Sequence, residues 1–141
     1  MGENQLRETA TLLHAGAIRL LRSLRREDDG SGLSAPRLSA LSVVAFGGPL
    51  SLAELAAAEQ VRPPTMSRIV DALVADGLVT RETTAEDRRS VRIAATARGR
   101  EVMEEGRARR VRALVARLTR LPDSELRALA RGAEILERVM R

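Results

Sequence analysis

Thr65, Ser67 and Arg68 follow two prolines in the stretch PPTMSRIVDALVADGLVTR, residues 63–81, and Arg88, Arg89 and Ser90 close the later run EDRRS. Hydroxyl and guanidinium groups share one competence, which is donating hydrogen bonds to oxygen that carries negative charge. A hydroxyl can bond a phosphate or a base edge, and the planar fork of Arg62 or Arg68 can pair both acceptors of a guanine. Pro64 sits in the first turn, where a helix start itself favours phosphate. Ala72 and Ala75 are small enough to let a backbone come close. Arginines at a loop tip, as Arg88 and Arg89 would be, suit a narrow and electronegative minor groove. Two acids stand among these bases. A carboxylate beside phosphate would repel it, so Asp87 reads as orienting a neighbouring arginine and Asp71 as holding a wing arginine against the helix. For both acids the plainer alternative is a solvated charge.

These groups need elements to carry them. At 100° per residue, Met66, Ile69, Val70, Leu73 and Val74 share one arc, and Arg68, Asp71, Ala72 and Ala75 lie opposite, with Thr65 and Ser67 on the flanks. Proline suits the first turn because it has no amide hydrogen to lose there, and Gly77 can end the helix with a positive φ. Before it, SLAE at Ser51–Glu54 has capping-box spacing and predicts a short helix to about Gln60, with a tight turn around Val61 and Arg62. After it, Leu78–Glu82 and Val91–Ala95 predict two strands of a hairpin around the charged tip 83–90. The tip is longer than hairpins usually need, and long charged loops tend to touch something.

Outside this section the pattern is helical. Leu6, Ala10, Leu13, Ala17, Leu20 and Leu24 form a narrow apolar seam on a long helix that should end before EDDGSG, residues 27–32. A second helix is predicted over Ser34–Phe46, stopped by GGP. A long helix over residues 97–120 would turn Val102, Val111, Leu114, Val115 and Leu118 inward, weakened locally by Gly99 and Gly106. The last helix, capped by Asp123 or Ser124, carries a second seam through Leu126, Leu129, Ala133, Leu136 and Met140. Such seams face another helix, from the same chain or from a partner.

Composition narrows the function. The chain has 141 residues, no Cys, one His and a single aromatic, Phe46. A core must be built from aliphatic side chains, which suits helix on helix. Without cysteine, thiolate metal sites and thiol redox sensing are excluded, and one histidine cannot build a zinc site unaided. No metal and no cofactor are expected. No nucleophile with a nearby base, phosphate loop or metal spacing supports an enzyme. No apolar run is long enough to cross a membrane and no signal peptide is evident, so the expected location is cytoplasmic. The net charge is +5 and every basic residue is Arg. Residues 34–100 hold only two more arginines than acids, so affinity for a polyanion must come from placement, not bulk charge. The run GRARRVR, residues 106–112, reads first as a solvated face paired with Glu101, Glu104 and Glu105.

Helix, turn, helix and two-stranded wing is the layout of a winged helix-turn-helix, whose second helix enters a DNA major groove. From Leu50 to Gly99 the chain resembles the MarR family of bacterial transcriptional regulators, through PTMSRIVDAL, DGLVTR and EDRR at their mutual spacings. One departure is AATARG at 94–99, where the family has a Leu-Thr pair, although Thr96 and Gly99 keep the spacing. The resemblance implies a mainly α fold: a dimerisation helix in 1–33, a winged helix-turn-helix in 34–100, and dimerisation helices in 101–141. It implies a homodimer, with Leu6, Leu13, Leu20, Leu126, Leu129, Leu136 and Met140 in the interface, bound to a pseudo-palindromic operator and acting as a repressor.

Many such regulators respond to a small aromatic or anionic ligand. Candidates for its pocket are His14, Ile18, Arg37, Leu38, Leu41 and Phe46. His14 reads first as an ordinary exposed or partly buried histidine and only second as a pocket residue, and Arg37 could pair a ligand carboxylate or only a nearby acid. The competing class is a winged-helix module that binds protein through its amphipathic outer helices, without sequence-specific DNA binding.

Overall fold

In a computed structural model, which describes residues 2–83, 85, 86 and 90–141, the chain runs as α1 (Glu3–Asp28), α2 (Ala35–Gly47), α3 (Leu52–Ala58), α4 (Pro63–Ala75), β1 (Val79–Thr83), β2 (Val91–Ala95), α5 (Ala97–Leu118) and α6 (Asp123–Val139). The mainly α architecture with one hairpin wing is as expected. Helix α1 carries on past the predicted stop, through Glu27 and Asp28 into a 3-10 turn at Asp29–Ser31. Acidic residues alone do not end a helix. The stop falls at Gly32, which takes a φ of 73°.

Two compact units result, Arg25–Ala108 and the chain up to Leu24 together with Arg109–Arg141. The core of the first is wholly non-aromatic. Ala40, Leu41 and Val44 of α2, Leu55 and Ala56 of α3, and Met66, Val70 and Leu73 of α4 close on Leu50, Leu78, Val79, Ile93, Val102 and Met103. The strands pair antiparallel with Val79 opposite Ala95 and Thr83 opposite Val91. Leu50 joins β2 from its other side, exchanging both backbone hydrogen bonds with Ile93 at 3.2 and 2.8 Å. The wing is therefore rooted in the core by its second strand.

Both short reading-section helices end in the same way. After α3, Val61 N–H bonds Ala56 O at 3.0 Å and Gln60 N–H bonds Ala57 O at 3.2 Å, with Gln60 at φ 55°. After α4, Leu78 N–H bonds Leu73 O and Gly77 N–H bonds Val74 O, both at 2.9 Å, with Gly77 at φ 71°. These are Schellman stops, and Leu78 is consumed by one, which is why β1 begins at Val79 and not a residue earlier. Nothing crowds a side chain at Gly77, so only its backbone conformation resists substitution. Gly77→Ala is expected to cost about 1–2 kcal/mol in urea unfolding.

In the other unit no residue of α1 or α6 is buried. Two expectations change here. Asp123 and Ser124 do not cap α6: extended Pro122 is the N-cap and provides no side-chain bond, so Asp123 acts only through its charge in the first turn. Of the α5 residues expected inward, Val102 is buried, Leu114 and Leu118 are half-buried, and Val111 and Val115 are about half exposed. A single chain leaves that face uncovered.

Candidate functional site

Helix α4 separates its two faces as its periodicity requires. Met66, Val70 and Leu73 are buried, while Thr65, Arg68 and Asp71 are exposed and Ser67 and Ala72 are half-buried. Arg62 is the N-cap, extended and exposed, and Pro63 and Pro64 occupy the first two helical positions. Four amides normally lie free at a helix start. Two are missing here because proline has none, so an acceptor at this end can use at most those of Arg62 and Thr65. Side chains must carry more of any phosphate contact than a bare helix terminus would suggest.

The capping box ahead of α3 is complete. Ser51 Oγ accepts from Glu54 N–H at 3.1 Å, and Glu54 Oε2 accepts from Ser51 N–H at 3.0 Å. The same Glu54 Oε2 also lies 3.4 Å from Arg92 Nη1 on β2. Asp71 Oδ1 accepts from Arg81 Nη2 on β1. The wing arginine held against α4 thus comes from the middle of β1. Asp87, Arg88 and Arg89 lie outside the described residues; Ser90 is half-buried.

A third joint ties α4, the wing and α5. Thr96 Oγ1 donates to Gly77 O at 2.7 Å and accepts from Gly99 N–H at 3.0 Å, and Thr96 N–H donates to Leu78 O at 3.0 Å. Gly99 is buried against this joint, so it is required by packing and is more than the local weakness its sequence suggests. In the same turn Arg98 bonds Glu101 at 2.8 Å and lies 3.6 Å from Glu105. That hydrogen bond first, then the charges of both acids, hold Arg98 even more firmly protonated than an ordinary arginine. Glu101 and Glu105 therefore engage Arg98 upstream of the basic run, within which Arg107 lies 3.9 Å from Glu104.

The inducer candidates are divided between the two units. His14 and Ile18 are exposed on α1, in one unit, and Arg37, Leu38, Leu41 and Phe46 belong to α2, in the other. Leu41 is fully enclosed by the core, so its side chain has no surface to offer a ligand. Leu38 is half-buried, Arg37 is exposed and Phe46 is 70% exposed. Among the described residues, no group of three or more His, Asp or Glu could hold a metal ion, and no helix is long and apolar enough to cross a membrane. Sequence reasoning missed the contacts of Arg81 with Asp71 and of Arg92 with Glu54, and the Thr96 joint. The partners are distant in the chain, and only the alternation of the wing strands hints at them.

Residues 31–90 match the family model described as the MarR family. An HTH-type transcriptional regulator of Mycobacterium leprae is 34% identical over 127 residues, spanning 90% of this chain and 89% of that protein. The solved structure of a MarR family protein from Bacillus stearothermophilus is similar with a TM-score of 0.77 at 26% identity, over 99% of this chain and 98% of that one. A transcriptional regulator from Thermotoga maritima shares the fold with a TM-score of 0.85 at 24% identity, over 95% and 94% of the two chains.

Proposed function

Because this chain belongs to the MarR family of DNA-binding transcriptional regulators, we propose that it acts as a homodimer on a pseudo-palindromic operator and represses the promoter there. The observation that carries this reading is the exposure of Thr65 and Arg68 on α4 directly behind a core built from Met66, Val70 and Leu73. Arg62, Ser67 and Ala72 complete the base-reading face, and Arg88 and Arg89 reach the minor groove. Half-sites would lie about one helical turn, ~10 bp, apart. The apolar faces of α1 and α6 support association of two copies, with Leu6, Leu13, Leu20, Leu126, Leu129, Leu136 and Met140 between them. A small aromatic or anionic inducer would release the DNA, with Arg37, Leu38 and Phe46 as the α2 residues open to it. The site of action is the cytoplasm, where the operator is.

Footprinting the purified protein on its own upstream DNA, with and without a panel of aromatic acids, tests operator, spacing and inducer together. Arg68→Ala is expected to weaken operator binding by about 1–3 kcal/mol for each half-site and to relax preference at one base pair of each. An unchanged footprint at unchanged affinity would remove Arg68 from the reading face. The competing reading, a protein-binding module, is favoured instead if no upstream fragment is protected and a partner co-purifies after nuclease treatment.

A further inference from the structure

We infer that Glu54 and Arg92 are positioning residues for operator recognition, forming with Asp71 and Arg81 a pair of clamps that grip the wing from both faces. Residues opposite one another on paired strands point to the same side of the hairpin. Arg81 lies opposite Ile93, whose side chain is in the core, whereas Arg92 lies opposite Glu82 on the other side. Each arginine reaches a different helix of the reading section, Arg81 to Asp71 on α4 and Arg92 to Glu54 on α3. The core already holds the base of the ribbon at Val79 and Ile93, and the Leu50 bridge holds β2, but one ion pair alone would restrain its tilt on one face only. Two anchors on opposite faces fix its angle to both helices.

Glu54 is suited to this because its carboxylate is already oriented. Oε2 accepts Ser51 N–H at 3.0 Å as part of the α3 cap, so holding it in place for Arg92 costs little extra ordering. An ordinary exposed ion pair lacks that advantage, which is why most contribute little. Arg92 is itself half-buried at the strand that Leu50 joins to the core. The wing's angle is thereby linked to the capping of α3.

This inference rests on the DNA-binding reading, and its test separates the two. Glu54→Gln keeps an amide oxygen for Ser51 N–H and removes the charge that holds Arg92. Glu54→Gln, Arg92→Gln and the double variant are compared with the wild type for affinity to the footprinted operator over a range of salt. Each single change is expected to weaken binding about 3-fold, and the double no more than either alone. The salt slope for Glu54→Gln should equal that of the wild type. Were Arg92 a direct phosphate contact, Arg92→Gln would reduce the slope by about 1.8 for the dimer, about 0.9 per protomer, and Glu54→Gln, by freeing the arginine, would tighten binding. That result, or strictly additive losses, overturns the clamp. Amide exchange of the DNA-free protein gives a second measure, expected to quicken across Val79–Thr83 and Val91–Ala95 in every variant. Exchange unchanged from wild type also overturns the clamp. Failure of the wild type to protect any operator defeats the proposed function instead, and the exchange measurement still decides the clamp.

Discussion

Gly99→Ala is expected to destabilise the protein by about 3 kcal/mol, at the upper end of overpacking changes. A methyl group there would overlap the Leu78 carbonyl oxygen and press on Leu41 Cδ1 at 3.2 Å. Neither neighbour can withdraw easily. The Leu78 carbonyl accepts Thr96 N–H, and Leu41 is enclosed on all sides by the core. The gain in helix propensity from Gly to Ala, about 1 kcal/mol in an open helix, is too small to compensate. Gly47→Ala is the matched control. Its methyl would stand in open space at the last turn of α2, and a change within about 0.5 kcal/mol is expected. Urea unfolding of both variants checks the contrast. A Gly99→Ala protein with the wild-type midpoint would mean that α5 does not approach the α4–β1 turn so closely.

Leu129→Glu should abolish operator binding at concentrations where the wild type is saturated, with a loss of at least about 100-fold. In the proposed dimer each recognition helix holds only half an operator, and the second half binds at the high effective concentration set by the first. Leu126, Leu129 and Leu136 are 39–47% exposed on α6, with no buried residue on that helix to anchor it otherwise. A carboxylate at position 129 would have to be desolvated against a partner's apolar face. The core of the Arg25–Ala108 unit takes nothing from α6, so the variant should remain helical while sedimenting as a monomer. If Leu129→Glu sediments like the wild type and gives the same footprint, the α6 face is not the interface.

The features legible in the sequence were those that close within a few residues. The capping box at Ser51 and Glu54 and the glycine stop at Gly77 complete their hydrogen bonds within a few residues, and the proline start of α4 needs no partner for the amides it lacks, so spacing alone predicts all three. The exposed face of α4 followed from periodicity in the same way. What escaped depends on distant partners. Gly99 looks like a flaw in a helix until Leu78 is brought against it. Arg92 and Glu54 are 38 residues apart, and nothing in either neighbourhood marks the other. The inward assignment of Val111 and Val115 failed because periodicity reports an apolar face without saying which molecule covers it. Asp123 was a plausible cap by type, but Pro122 already held the extended conformation that a cap needs.

The hydroxyl of Thr96 touches the end of the reading helix and the beginning of α5 at once, while its own amide holds the turn into the wing. Any push arriving at the first turn of α5 therefore reaches the end of α4 and the start of the hairpin through the same residue. Such a protein would tune its grip by shifting a whole reading head, since its two parts are geared to a single pin.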